Sequence, residues 1–243
     1  MLHLCIKSES RKLKHSVIWL ACFLIPIIPA IMGTFNYLQN LEILTGEWYA
    51  LWSQFTLFYA IFFYAPLIAL YCSYLWRLEH LNHNWNVLMT MPVSVNSIFF
   101  GKLYVICKVT LLTQGWMFFL FFLGGKLAGL DGMPPSMIFF WALRGTVAAI
   151  AIGSLQLLLS MCIRSFAVPI GIALAGSVIG LLAANSGWGI FFPYSLMLMG
   201  MNSNSYEDKL TGETWQFLLS VLIFFLIFTM ASLHMLKNRD IDA

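Results

Sequence analysis

Val17–Tyr37 reads VIWLACFLIPIIPAIMGTFNY, 21 residues without one Asp, Glu, Lys or Arg. As a helix at 1.5 Å per residue it covers about 31 Å, the depth of a bilayer's hydrocarbon core. Five further stretches repeat the pattern: Leu51–Trp76, Leu103–Leu123, Ser136–Ile163, Val168–Ala184 and Trp215–Leu236. None holds a carboxylate, and none more than one Lys or Arg. Composition agrees. Of 243 residues 60% are hydrophobic and 9% charged, against about 25% charged in a soluble domain. A soluble fold of this length has too little interior to hide 21 Phe and nine Trp. A soluble enzyme, a nucleic-acid binder and a disordered chain are excluded. The sequence predicts an all-α polytopic membrane protein with six transmembrane helices.

Basic residues orient it. The N-terminal tail, the second and fourth loops and the C-terminus hold Lys7, Arg11, Lys12, Lys14, Arg77, Lys102, Arg164, Lys237 and Arg239. The other side holds Lys126 and Lys209, with Glu42, Glu47, Asp131, Glu207, Asp208 and Glu213. Both termini are expected in the cytoplasm, and Lys108 snorkels toward that side. The first span is expected to be retained, since Pro29–Gly33 makes a poor signal-cleavage site. Residues 1–16 read either as a helix on the inner membrane surface or as a disordered basic tail. One membrane domain takes the whole chain, 1–243. Its longest connecting pieces are 77–102 and 185–214.

Cys5, Cys22, Cys72, Cys107 and Cys162 all avoid the outer loops and lack metal spacing. No disulfide framework or zinc site is indicated. Nor is a phosphate cradle present: Gly101-Lys102 runs into Leu103, and position 96 is Asn where a P-loop needs Gly. Motifs of the HExxH and GxSxG kinds are absent. Carboxylate-free spans argue against an ion-coupled carrier.

The inner loop Trp76–Lys102 is distinctive. Leu78, Leu81, Trp85 and Leu88 recur at helical spacing, with Glu79, His80, Asn82, His83, Asn84 and Asn86 between them. Pro92 ends this helix at Met91. A helix that merely rests on headgroups is normally rich in Lys and Arg. This one carries amides, His and Glu, which fit a protein partner better. His80 and His83 stand at i, i+3, but no third metal ligand is near.

LMTMPVS at 88–94, followed by Gly101-Lys102 at the opening of the third span, resembles the coupling loop of ABC-2 type permeases. LQLLLSMCIRSFAVPIG at 155–171 is similar to the fourth-to-fifth-span corner of the lantibiotic-immunity group within them. The resemblance implies a type V exporter-like permease without an ATPase of its own. ATP and magnesium would belong to two copies of a separate ATPase. A second permease, identical or related, would complete the pathway in a bacterial plasma membrane, among membrane lipids. The inner helix would dock on the ATPase through Glu79, His80, Asn82, His83, Trp85, Asn86 and Leu88. The cargo implied is an amphipathic antimicrobial peptide, expelled for self-protection.

Other residues stand out. Arg144 lies about 13 Å into the fourth span. It reads as a pathway residue, a partner of an outer acidic group, or a snorkelling cation. Gln114 and Gln156 read as interhelical glue or as pathway groups. The stretch 187–200, GWGIFFPYSLMLMG, is too apolar for a free loop and too short to cross, so a re-entrant element is predicted before the last span. The null alternative is a ragged extension of span five. Trp188, Tyr194 and Met197 are its candidate cargo contacts. Rival functions are a permease for another lipid-like cargo, a secondary carrier, and a non-transporting scaffold.

Overall fold

Residues 1–81 and 84–238 are described in a computed structural model of the chain. Among them there is no strand, and six helical spans are long and apolar enough to cross a membrane. A short helix α1, Leu2–Leu13, precedes the first span. That span is α2, Ile18–Leu24, and α3, Ile27–Gln39, meeting at Ile25-Pro26. Pro26 and Pro29 offer no backbone N–H to the helical ladder, so the helix breaks there.

The second span is one continuous rod from Glu47 to His80. It comprises α4, Glu47–Phe58, a π-helical turn at Tyr59–Tyr64, and α5, Ala65–His80. A separate short helix α6, Asn84–Thr90, precedes the third span α7, Val95–Leu127. Ser94 caps α7, its Oγ accepting from the Ser97 N–H at 3.3 Å. The last three spans are α8, Ser136–Cys162, α9, Ala167–Asn185, and α11, Thr214–Asn238. Spans two and three run 34 and 33 residues, roughly 50 Å each. They therefore project beyond a hydrocarbon core of about 30 Å. Sequence reading ended them at the last run of apolar residues. At the basic end the helices continue because Glu79 and Lys102, which lie on these extensions or at their edge, neutralise each other.

The second span is the axis of the bundle. Two thirds of its most apolar window is buried, against 28% for the fifth and sixth spans. Trp52, Phe55, Tyr59, Tyr64 and Tyr71 are wholly enclosed. Its polar groups pair across to the third span: Tyr59 donates to Gln114 Oε1 at 3.2 Å, and Tyr71 Oη lies 2.9 Å from Thr113 Oγ1. Hydrogen bonds of this kind hold helices together where lipid supplies no hydrophobic drive.

Between spans five and six the chain dives back into the bundle. A single 3₁₀ turn at Gly189–Phe191 leads to α10, Ser195–Gly200, which is buried against α8 and α9. This is the predicted re-entrant element, not a ragged end of span five. Its close seat needs small residues. A Cβ on Gly200 would lie 2.9 Å from the Arg144 and Gly145 backbone, and one on Gly176 would strike the Tyr194 ring at 2.5 Å. Gly171, by contrast, faces nothing within 4 Å. Gly200→Ala is expected to cost about 1–3 kcal/mol through overpacking and to lower the detergent melting temperature, whereas Gly171→Ala leaves it unchanged or slightly raised.

Candidate functional site

Two ends of the bundle carry chemistry. At the basic end, α1 lies against the start of α7. A Cβ on Gly101 would lie 3.0 Å from Cys5 Cβ, so a larger residue here would push α1 away by a few tenths of an ångström. The next residue, Lys102, is fully buried. Its ammonium donates to Glu79 Oε1 at 2.7 Å and to Glu9 Oε2 at 3.0 Å, and lies 4.8 Å over the Trp76 ring. Lys12 closes the set, pairing with Glu9 at 2.6 Å and with the same oxygen of Glu79. Glu9 and Glu79 are each 5% exposed. Two carboxylates and two ammoniums sum to zero, so no net charge is buried. For Lys12, outside the spans, burial lowers the pKa, but Glu9 and Glu79 outweigh it and hold the value above the ordinary one.

The helix α6 is fastened to this cluster. Leu81 breaks away in extended conformation (φ −86°, ψ 145°), and Asn84 donates to the Leu78 carbonyl at 3.0 Å. Trp85, 3% exposed, turns back onto Trp76 and His80, with ring centroids 5.5 and 6.1 Å away. The expected single helix over 79–90 is therefore two helices folded on each other. Leu78, Leu81, Trp85 and Leu88 keep their spacing across the break, which hid it from a periodicity argument.

The predicted docking residues separate accordingly. Glu79 and Trp85 point inward, where an ion pair and a ring stack hold them, so neither presents its side chain as a partner contact. His80 is half-buried against Trp76, while Asn86 is exposed and Leu88 partly so. Asn82 and His83 lie outside the described residues. The outward apolar face consists of Leu81, Val87 and Met91. Between α6 and α1 runs a cavity of about 460 Å³, walled by Leu4, Ser8, Val87, Leu88 and Met91 and floored by Glu9, Lys12 and Glu79. Sequence reasoning missed Glu9, Lys12 and Lys102. Two signals were present: Glu9 and Lys12 stand at i, i+3, and Lys102 faces a lone carboxylate across one loop.

At the acidic end, Arg144 Nη2 donates to Asp208 Oδ1 at 2.7 Å. Of the readings open for Arg144, the structure shows a pairing with an acidic residue, Asp208. Gln156 Nε2 donates to Tyr194 Oη at 2.7 Å, and Gln114 Nε2 to the Ala142 carbonyl at 3.3 Å. Tyr194 and Met197 are buried in the re-entrant element, so neither faces an open path. Trp188 is 67% exposed. Trp52 Nε1 donates to the Met201 carbonyl at 2.8 Å, tying the element to span two.

The sequence profile of the ABC-2 family transporter proteins matches residues 5–180, a range that contains the cluster, the inner helix and four complete spans. The chain belongs to the ABC-2 family. It is thus a membrane permease of an ABC transporter, and family membership implies association with an ABC ATPase. Comparison with curated proteins and with solved structures returned no match.

Two predictions follow from this geometry. Lys102→Met leaves two buried carboxylates sharing the one Lys12 ammonium, an excess buried negative charge that should cost about 3–5 kcal/mol. Adding Glu79→Gln restores neutrality, so the double variant should melt above the sum of the two single losses in a double-mutant cycle. At the other end, burial raises the Asp208 pKa, but bonds from Arg144 and the Leu210 N–H lower it further, to below the ordinary carboxylate value. A depressed folded pKa means stabilisation that is complete above the ordinary value and lost as pH falls through the folded one. The melting difference between wild type and Asp208→Asn should therefore shrink as pH drops from 6 to 3.

Proposed function

We propose that this ABC-2 permease expels an amphipathic antimicrobial peptide of the lantibiotic class and so protects its own cell. On this reading the basic end faces the cytoplasm of a bacterium. A second permease, identical or related, forms the pathway with it, and two copies of the ATPase, holding ATP and magnesium, sit beneath. The observation that carries the reading is α6: a short helix between spans two and three, held to span two by Trp85, with Val87 and the flanking Leu81 and Met91 exposed.

Closure of the ATPases on ATP would push this face. Trp85 passes the push to Trp76 and His80 on span two, and the short connection 91–94 leads it on to span three. Lys102 holds both spans and α1 together, so the push moves them as a rigid body. At the far end, α10 travels with α8 and α9. Trp188, Phe191 and Trp215 are exposed there, an aromatic rim suited to an amphipathic peptide at the membrane surface. Tyr194 and Met197 would meet cargo once α10 is displaced. The peptide class rests on the likeness of residues 155–171 to lantibiotic-immunity permeases.

The test is to reconstitute the permease with its ATPase in vesicles. Val87→Asp with Met91→Asp should insert normally yet lower cargo-stimulated ATP hydrolysis at least tenfold. Undiminished stimulation would remove α6 from the coupling path. Separately, a sensitive bacterium expressing the complex should tolerate several-fold more lantibiotic, and unchanged sensitivity would remove the peptide as cargo.

A further inference from the structure

Spans three and four meet along a seam left open to the membrane. On α7, Lys108, Leu111, Gly115 and Phe118 recur every three or four residues and so share one face. Phe139, Thr146, Ile150 and Gly153, at steps of seven, four and three, share a face of α8. Two cavities lie along this seam. One, of about 300 Å³, is bounded by Lys108, Thr110 and Leu111 on α7 and by Thr146 and Ile150 on α8. The other, of about 410 Å³, lies toward the acidic end between Gly115, Phe118 and Phe139. A Cβ on Gly115 would meet nothing within 4 Å. Both are lined mainly by apolar side chains and follow one another along the helices.

Two polar groups in the first cavity lack partners. Lys108 makes no ion pair among the described residues. Six residues beyond Lys102, it stands about 9 Å further along α7, exposed on the outside of the bundle, where in a membrane a cation needs an anion or a route to water. Thr110 is 2% exposed, and its hydroxyl has no hydrogen-bond partner among the described residues. A buried hydroxyl of this kind normally has one.

We propose that the α7–α8 seam binds an anionic phospholipid from the leaflet at the basic end. Its phosphate sits at Lys108, and one acyl chain runs past Leu111 toward Gly115. Charge selects this occupant over a second copy of the chain. A two-fold pairing through the same seam would set two Lys108 ammoniums at equal depth with no carboxylate from either face. A neutral phospholipid would leave the lysine's charge unbalanced.

The test uses the full chain in vesicles of equal phosphatidylglycerol and phosphatidylcholine, extracted in mild detergent, with retained lipids counted by native mass spectrometry. Wild type should keep phosphatidylglycerol about fivefold over phosphatidylcholine, as one cation near an anionic headgroup provides. Lys108→Gln should bring the ratio near one, while Lys237→Gln, at the end of α11, leaves it unchanged. Equal retention by wild type, or an unaltered ratio in Lys108→Gln, overturns the proposal. An arm that keeps Lys108 places benzoylphenylalanine at the exposed Leu111. A lipid adduct supports the site, and a cross-linked dimer overturns it.

Discussion

Lys102 buries its ammonium between Glu79 and Glu9, and the arrangement of the basic end depends on that contact. An unpaired ammonium in a low-dielectric interior costs several kcal/mol. The two carboxylates, with Lys12 as fourth member, remove that cost and fix which helices meet. Glu79 ends span two, Lys102 opens span three, and Glu9 and Lys12 bring in α1. An arrangement that separated them would bury bare charge. The cluster therefore sets the register of three helices at once and lets spans two and three continue past the hydrocarbon.

The same contact bears on energy transfer. A loop joining two spans transmits force only when its ends cannot hinge independently. Here both ends are tied to one another through Lys102 and Glu79, and the loop's helix is pinned by Trp85 on Trp76. Coupling and anchoring are thus divided between residues. The inward face of α6 holds the helix to span two, and Val87 on its other side is exposed. Trp85 exemplifies why residue type is an incomplete guide. A tryptophan in an amphipathic helix reads as an interface anchor, but it buries the same ring area equally well on its own protein.

At the acidic end the constraint is packing. The re-entrant α10 is held by glycine-permitted backbone contacts at Gly200 and Gly176, and by bonds from Trp52 and Gln156 that satisfy buried polar groups. Arg144 and Asp208 neutralise each other above it.

Six spans, their order and the re-entrant element were legible in the sequence, because each follows from local composition and length measured against a bilayer of known thickness. The basic asymmetry and the break at Pro92 were legible for the same reason. What only the tertiary structure decided is which side chains face each other: that Glu79 meets Lys102 rather than a partner, that Arg144 meets Asp208, and that one inner helix is two. Helical spacing reports which residues share a face but not what lies opposite. In a chain with so few charges, the choice of counter-ion is made by helices distant in sequence, here by Glu9 across 93 residues from Lys102.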